Sequence, residues 1–123
     1  MENAREYLEQ ARFLDMRINA KLAQLDSLNN LLLKAGDAAP DKILSLQSDI
    51  NRDIDELVDL KAEITRRIRQ LSKPEYQTVL ELRYLCFMTW EEIGGRMRYS
   101  MPYLFKLHTR ALKELGKDLE EAG

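Results

Sequence analysis

The stretch Thr89–Leu115, TWEEIGGRMRYSMPYLFKLHTRALKEL, decides how the chain reads. Thr89 followed by Glu92 has the spacing of a capping box, in which hydroxyl and carboxylate satisfy each other's free backbone N–H groups at a helix start. Ser100 offers an N-terminal cap to a second helix, so only Arg98-Tyr99-Ser100 remain between the two as a sharp turn. In the second helix Leu104, His108, Ala111 and Leu115 share one stripe, supported by Leu107 and Leu112. Pro102, Lys106, Thr109 and Lys113 share the opposite stripe, with Tyr103, Phe105 and Arg110 beside it. One face packs inward and the other is left free. Gly94 and Ala111 are small enough to let the helices approach closely. The predicted motif is a helix-turn-helix.

Charge sharpens that reading. The chain as a whole is close to neutral, at -2. From Ile93 to Lys117, however, Arg96, Arg98, Lys106, Arg110, Lys113 and Lys117 stand against the single acid Glu114. Positive charge gathered on one helix-turn-helix points to a phosphate backbone, and so to double-stranded DNA as partner. The acidic tail after Lys117, DLEEAG, reads as frayed and solvated.

Composition limits the alternatives. In 123 residues there are five Gly and three Pro, with 45% hydrophobic and 33% charged residues. Long stretches of Leu, Ala, Glu, Lys and Arg favour an all-α chain, one small domain with a helical extension. A single cysteine, Cys86, rules out an internal disulfide framework and a cysteine-based metal site, which fits a reducing cytoplasm. The acidic N-terminus does not resemble a signal peptide, and no apolar run of about 18 residues is present, so neither secretion nor membrane insertion is expected. No phosphate loop, metal-ligand cluster or nucleophile with a companion base is visible. The expectation is therefore no enzyme activity, no metal, no cofactor and no small-molecule substrate. Glu91 and Glu92 point in different directions on a helix; Trp90 and His108 read as packing residues and Cys86 as inert.

The N-terminal half reads as two arms. From Glu2 to about Ala35 the residues Tyr7, Ala11, Leu14, Ile18, Leu22, Leu25, Leu28 and Leu32 recur at helical spacing. Gly36 supplies a stop and residues 36–41 a connecting loop, with Pro40 placed to start the next helix. Ile43, Gln47, Ile50, Ile54, Leu57, Lys61, Ile64, Ile68 and Leu71 then alternate by four and three, a heptad seam interrupted by Gln47 and Lys61. Two arms of similar length joined by a short loop predict a long antiparallel, coiled-coil-like hairpin. Pairing between two chains through the same seam fits the pattern equally well. Arg66, Arg67 and Arg69 read as a solvated face or a second basic patch. Ser72 followed by Glu75 reads as another capping box, opening a helix that runs to about Phe87. The chain thus divides into arms, residues 1–71, and a helix-turn-helix domain, residues 72–123.

At these residues the chain resembles region 4 of bacterial sigma factors, a promoter-reading module. The matching pattern is Val79-Leu80, Leu82-Arg83-Tyr84, Thr89-Trp90-Glu91-Glu92-Ile93-Gly94, Ser100, Leu104, Arg110-Ala111-Leu112 and Leu115. As a whole it is similar to short phage and prophage proteins with a helical N-terminal half and a sigma-like C-terminal half, some relatives of which regulate late transcription. The resemblance implies that Met101, Pro102, Phe105 and Lys106 face bases, and that Arg83, Thr89, Arg98 and Arg110 face phosphates. Tyr103 and Thr109 join the first set and Lys113 the second, from their place on the same outward face. Sigma proteins usually carry Arg, Glu or Gln at the reading positions; Met, Pro and Phe make no bidentate bonds to purines and favour thymine methyls, or read little sequence at all. Arg98 stands where such turns often have Gly, and a left-handed backbone there costs on the order of 1 kcal/mol.

Two functions follow as expectations. The first is a DNA-binding transcription regulator in the cytoplasm of a bacterial host, with arms that form a homodimer or contact RNA polymerase. The second is a protein-interaction or scaffold module that keeps the sigma-like fold without reading DNA.

Overall fold

The structure, a computed structural model, describes residues 3–36 and 40–122. These form five α-helices and no strand, the all-α architecture the composition predicts: α1 (Ala4–Ala35), α2 (Pro40–Ile68), α3 (Pro74–Leu80), α4 (Trp90–Met97) and α5 (Met101–Ala122). A π-helical segment, Glu81–Leu85, continues α3. Among the described residues no helix is long and apolar enough to cross a membrane. Gly36 ends α1 with φ +66, a conformation open to glycine because it lacks a Cβ. Pro40 opens α2; the rest of the expected loop up to it, residues 37–39, lies outside the described residues.

The chain forms two compact units, one of Phe13–Leu60 and one of Met1–Arg12 with Lys61–Gly123. In the first, α1 and α2 are tied together within one chain. Asp53 accepts hydrogen bonds from Arg17 at 3.1 and 3.2 Å and from the Lys21 ammonium at 2.7 Å. The Lys21 bond, then Arg17, holds the Asp53 carboxyl below the usual carboxylate range. This pairing shifts the predicted seam. Ile43, Ile50 and Leu57 face inward as expected, but Leu46 and Asp53 flank them on the inner side, while Gln47 and Ile54 are exposed. The flank that carries Asp53, where Arg17 and Lys21 reach it, is the one that closes inward. Leu22, expected on the inner stripe of α1, is exposed as well.

The second unit holds the larger core. Leu8, Ile64, Ile68, Val79, Leu80, Ile93, Leu104 and Leu115 are fully buried, each contributing roughly 1.5–3 kcal/mol relative to exposure. Leu8 lies beside the predicted stripe, not on it. Three other expectations are corrected here. Ser72 and Glu75 do not form a capping box: Lys73 is the N-cap residue of α3 and has no side-chain cap. The Ser72 N–H and hydroxyl donate instead to Glu114, at 2.8 and 2.9 Å. Lys61 is no break in an arm seam; its ammonium donates to the Leu85 carbonyl at 3.0 Å and lies 4.7 Å from the Phe87 ring centroid. The tail after Lys117 is not frayed, because α5 continues to Ala122 and keeps Leu119 half-buried.

Candidate nucleic-acid interface

The two helices at the centre of the sequence reading are set by their caps. Thr89 Oγ1 accepts from the Glu92 N–H at 3.2 Å, and Glu92 Oε1 accepts from the Thr89 N–H at 3.3 Å, completing the predicted capping box. α4 ends at Arg98, whose backbone is left-handed at φ 61 and ψ 42. The Tyr99 N–H returns to the Gly94 carbonyl at 3.2 Å, and Ser100 Oγ accepts from the Tyr103 N–H at 3.4 Å to cap α5. Gly94 is buried at the crossing. A Cβ there would stand 3.4 Å from both the Met101 sulfur and the Tyr99 carbonyl oxygen, so a methyl but little more would fit.

Behind this turn lies an aromatic cluster. The Tyr84 hydroxyl and His108 Nε2 are hydrogen-bonded at 2.7 Å. Trp90 meets His108 edge-on at 4.6 Å and Phe105 at 5.4 Å between ring centroids, and the Arg83 guanidinium lies 4.7 Å from the centroid of its ring. Burial pushes the His108 imidazole down to about 4, with the nearby charges of Arg5 and Arg83 adding to the effect. His108 is therefore neutral at physiological pH and serves packing, as read from its inward stripe. Trp90 bridges helices in the way the sequence predicts. Cys86 is exposed, despite its place in an apolar run.

The outward face of α5 carries most of the expected contact residues. Pro102, Tyr103, Phe105, Lys106, Thr109, Arg110 and Lys113 are all exposed, as is Arg98 in the turn. A shallow hollow of about 300 Å³ lies among Phe105, Lys106, Thr109 and Arg110. Arg96, Arg98, Lys106, Arg110, Lys113 and Lys117 are exposed and form no ion pair with the described residues. Glu114, the one acid in this stretch, is bound to Ser72.

Other members of the predicted set are partly engaged elsewhere. Met101 is half-buried against α4. Arg83 donates to the Met88 carbonyl at 2.9 Å besides lying over Trp90, and Thr89 is committed to its cap. The tyrosines Tyr99 and Tyr103 meet edge-on at 4.7 Å, apart from the Trp90–Phe105 pair. Arg67 pairs with Glu63 at 3.8 Å and lies 5.5 Å from the Tyr7 ring centroid, which withdraws it from a patch with Arg66 and Arg69. The Glu114–Ser72 link had no signal in sequence, since its partners are 42 residues apart.

Residues 33–116 match the sequence profile of a family described as "Protein of unknown function (DUF1492)". No curated protein and no solved structure matches the chain.

Proposed function

The chain belongs to the DUF1492 family, and we propose that it is a non-enzymatic DNA-binding regulator of transcription, of phage or prophage type, acting in the bacterial host cytoplasm. In this reading α4 and α5 act as a sigma region 4-like helix-turn-helix, with α5 entering the major groove. Lys106 and Thr109 face the base edges together with the apolar Pro102, Tyr103, Phe105 and the tip of Met101. Arg98, Arg110 and Lys113 contact phosphates, with Arg83 and Thr89 beside them. The long arms are left to contact RNA polymerase or a second copy.

The observation that carries the reading is the row of exposed cations along α4, the turn and α5 that form no ion pair with the described residues, with Glu114 drawn away to Ser72. Such a row neutralises phosphates and releases counterions, a sequence-independent source of affinity. The Lys106→Ala/Arg110→Ala double variant tests it: DNA affinity falls and the salt dependence becomes shallower, while helix content by circular dichroism stays unchanged. A folded double variant that binds DNA as tightly as the parent at physiological salt rejects the site.

A second reading, a protein-interaction module on a sigma-like fold, is favoured by Tyr103 and Phe105, which are 43% and 45% exposed on either flank of the outward stripe of α5. Absence of salt-sensitive binding to any duplex would favour this module.

A further inference from the structure

We propose that two copies of the chain pair antiparallel through a second, largely apolar seam on α1, made of Phe13, Met16, Ala20, Ala23, Ser27 and Leu31. These residues recur in steps of three and four, the spacing of a coiled-coil seam. Met16 and Ala20 each lie two residues from Ile18, and Ala23 and Ser27 each two from Leu25. Two residues are about 200° around a helix, so this seam faces away from the side that packs within the chain. All six residues are exposed, with Phe13 at 65%, Met16 at 56% and Leu31 at 60%.

The unit that carries the seam is short of core. Of the ten exposed large hydrophobic residues among those described, eight lie between Phe13 and Leu60. Two helices alone cover only one face of each other, and the uncovered apolar surface calls for a further layer.

The sizes along the seam identify that layer as a second copy. An antiparallel pairing centred between Lys21 and Leu22 sets Ala20 against Ala23 of the second copy, Met16 against Ser27, and Phe13 beside Leu31. Large side chains meet small ones, and the alanines at the centre allow close approach. The flanking residues then pair as Asn19 with Asp26 and Arg17 with Gln24, so no like charges meet. A parallel pairing would set Met16 on Met16 and Ser27 on Ser27, crowding one level and leaving a void at another.

Sedimentation equilibrium on the full chain from about 1 to about 100 μM should show a concentration-dependent dimer. The Ala20→Glu/Ala23→Glu variant, altered only at exposed helix positions, should keep its circular dichroism and weaken the dimer by more than about tenfold. Orientation is read by cross-linking in a Cys86→Ser background. Ala20→Cys chains mixed with Ala23→Cys chains should form the mixed disulfide in preference to either self-disulfide. A parent that stays monomeric at about 100 μM would overturn the proposal. So would a folded double-Glu variant that dimerises as the parent does, or preferential self-linking of Ala20→Cys.

Discussion

Arg98 is asked to do two things at once. Its backbone is left-handed, at φ 61 and ψ 42, where a Cβ crowds the following carbonyl, while its side chain stands exposed at the turn, where the proposed function gives it a phosphate contact. Replacing it by glycine separates the two. Arg98→Gly should raise unfolding stability by about 1 kcal/mol, measured by denaturant titration, and should weaken DNA binding in the same preparation. His108 offers a second test at this scale, because it is the only histidine and its NMR signals stand alone. Burial holds its pKa near 4, below the ordinary 6.5. Between those values the unfolded chain binds a proton that the folded chain does not, so stability rises with pH there and is lost as pH falls from 6.5 towards 4. The loss should be on the order of 3 kcal/mol, and the ring resonances of the native state should stay flat down to about pH 5. A ring that titrates near 6.5 would show that the Tyr84–Trp90 pocket is open to water. The turn at Arg98 was legible from sequence, because caps on both sides left only three residues to make it. The left-handed Phe87, φ 57, was not, since nothing in the letters around it marks a helix that ends in a π-turn.

At the level of elements, the two capping boxes explain what local sequence decides and what it leaves open. Ser72 with Glu75 and Thr89 with Glu92 have the same spacing, yet only the second forms. Pro74 starts α3 at its first position and makes Lys73 the cap residue, while Glu114 takes both the N–H and the hydroxyl of Ser72. A distant side chain outcompetes a local one, and periodicity has no means of anticipating it. Thr89→Ala should therefore cost about 1 kcal/mol by removing a cap, and Glu114→Gln should loosen the hold of α5 on the link at Ser72, both read as lower stability in denaturant titration. The seam of α2 makes a similar point. Ile43, Ile50 and Leu57 were found by spacing, but spacing did not decide which flank closes inward, because both flanks fit an alternation of three and four; the inward one carries Asp53, which Arg17 and Lys21 reach. On α5, by contrast, the inner stripe of Leu104, His108, Ala111 and Leu115 and the outer stripe of Pro102, Lys106, Thr109 and Lys113 were legible from spacing, whereas Met101, expected on the outer side, is half-buried against α4.

For the whole molecule, charge is distributed by unit. Phe13–Leu60 carries five Lys/Arg against nine Asp/Glu, so this unit is unsuited to a phosphate backbone, whereas the α4–α5 stretch is rich in exposed cations. A net charge of -2 conceals that separation. The all-α architecture followed from composition and periodicity, and the division into units did not, because it depends on Leu8, Ile64 and Ile68 being buried together with the C-terminal helices. Whether the face of α5 meets DNA, as proposed, is decided by an anisotropy titration of a random-sequence duplex with the full chain at two salt concentrations. Binding is expected at micromolar protein and should weaken steeply with salt, with a slope of roughly -0.9 per neutralised phosphate, made shallower by Lys106→Ala/Arg110→Ala. Absence of salt-sensitive binding at that concentration would contradict it.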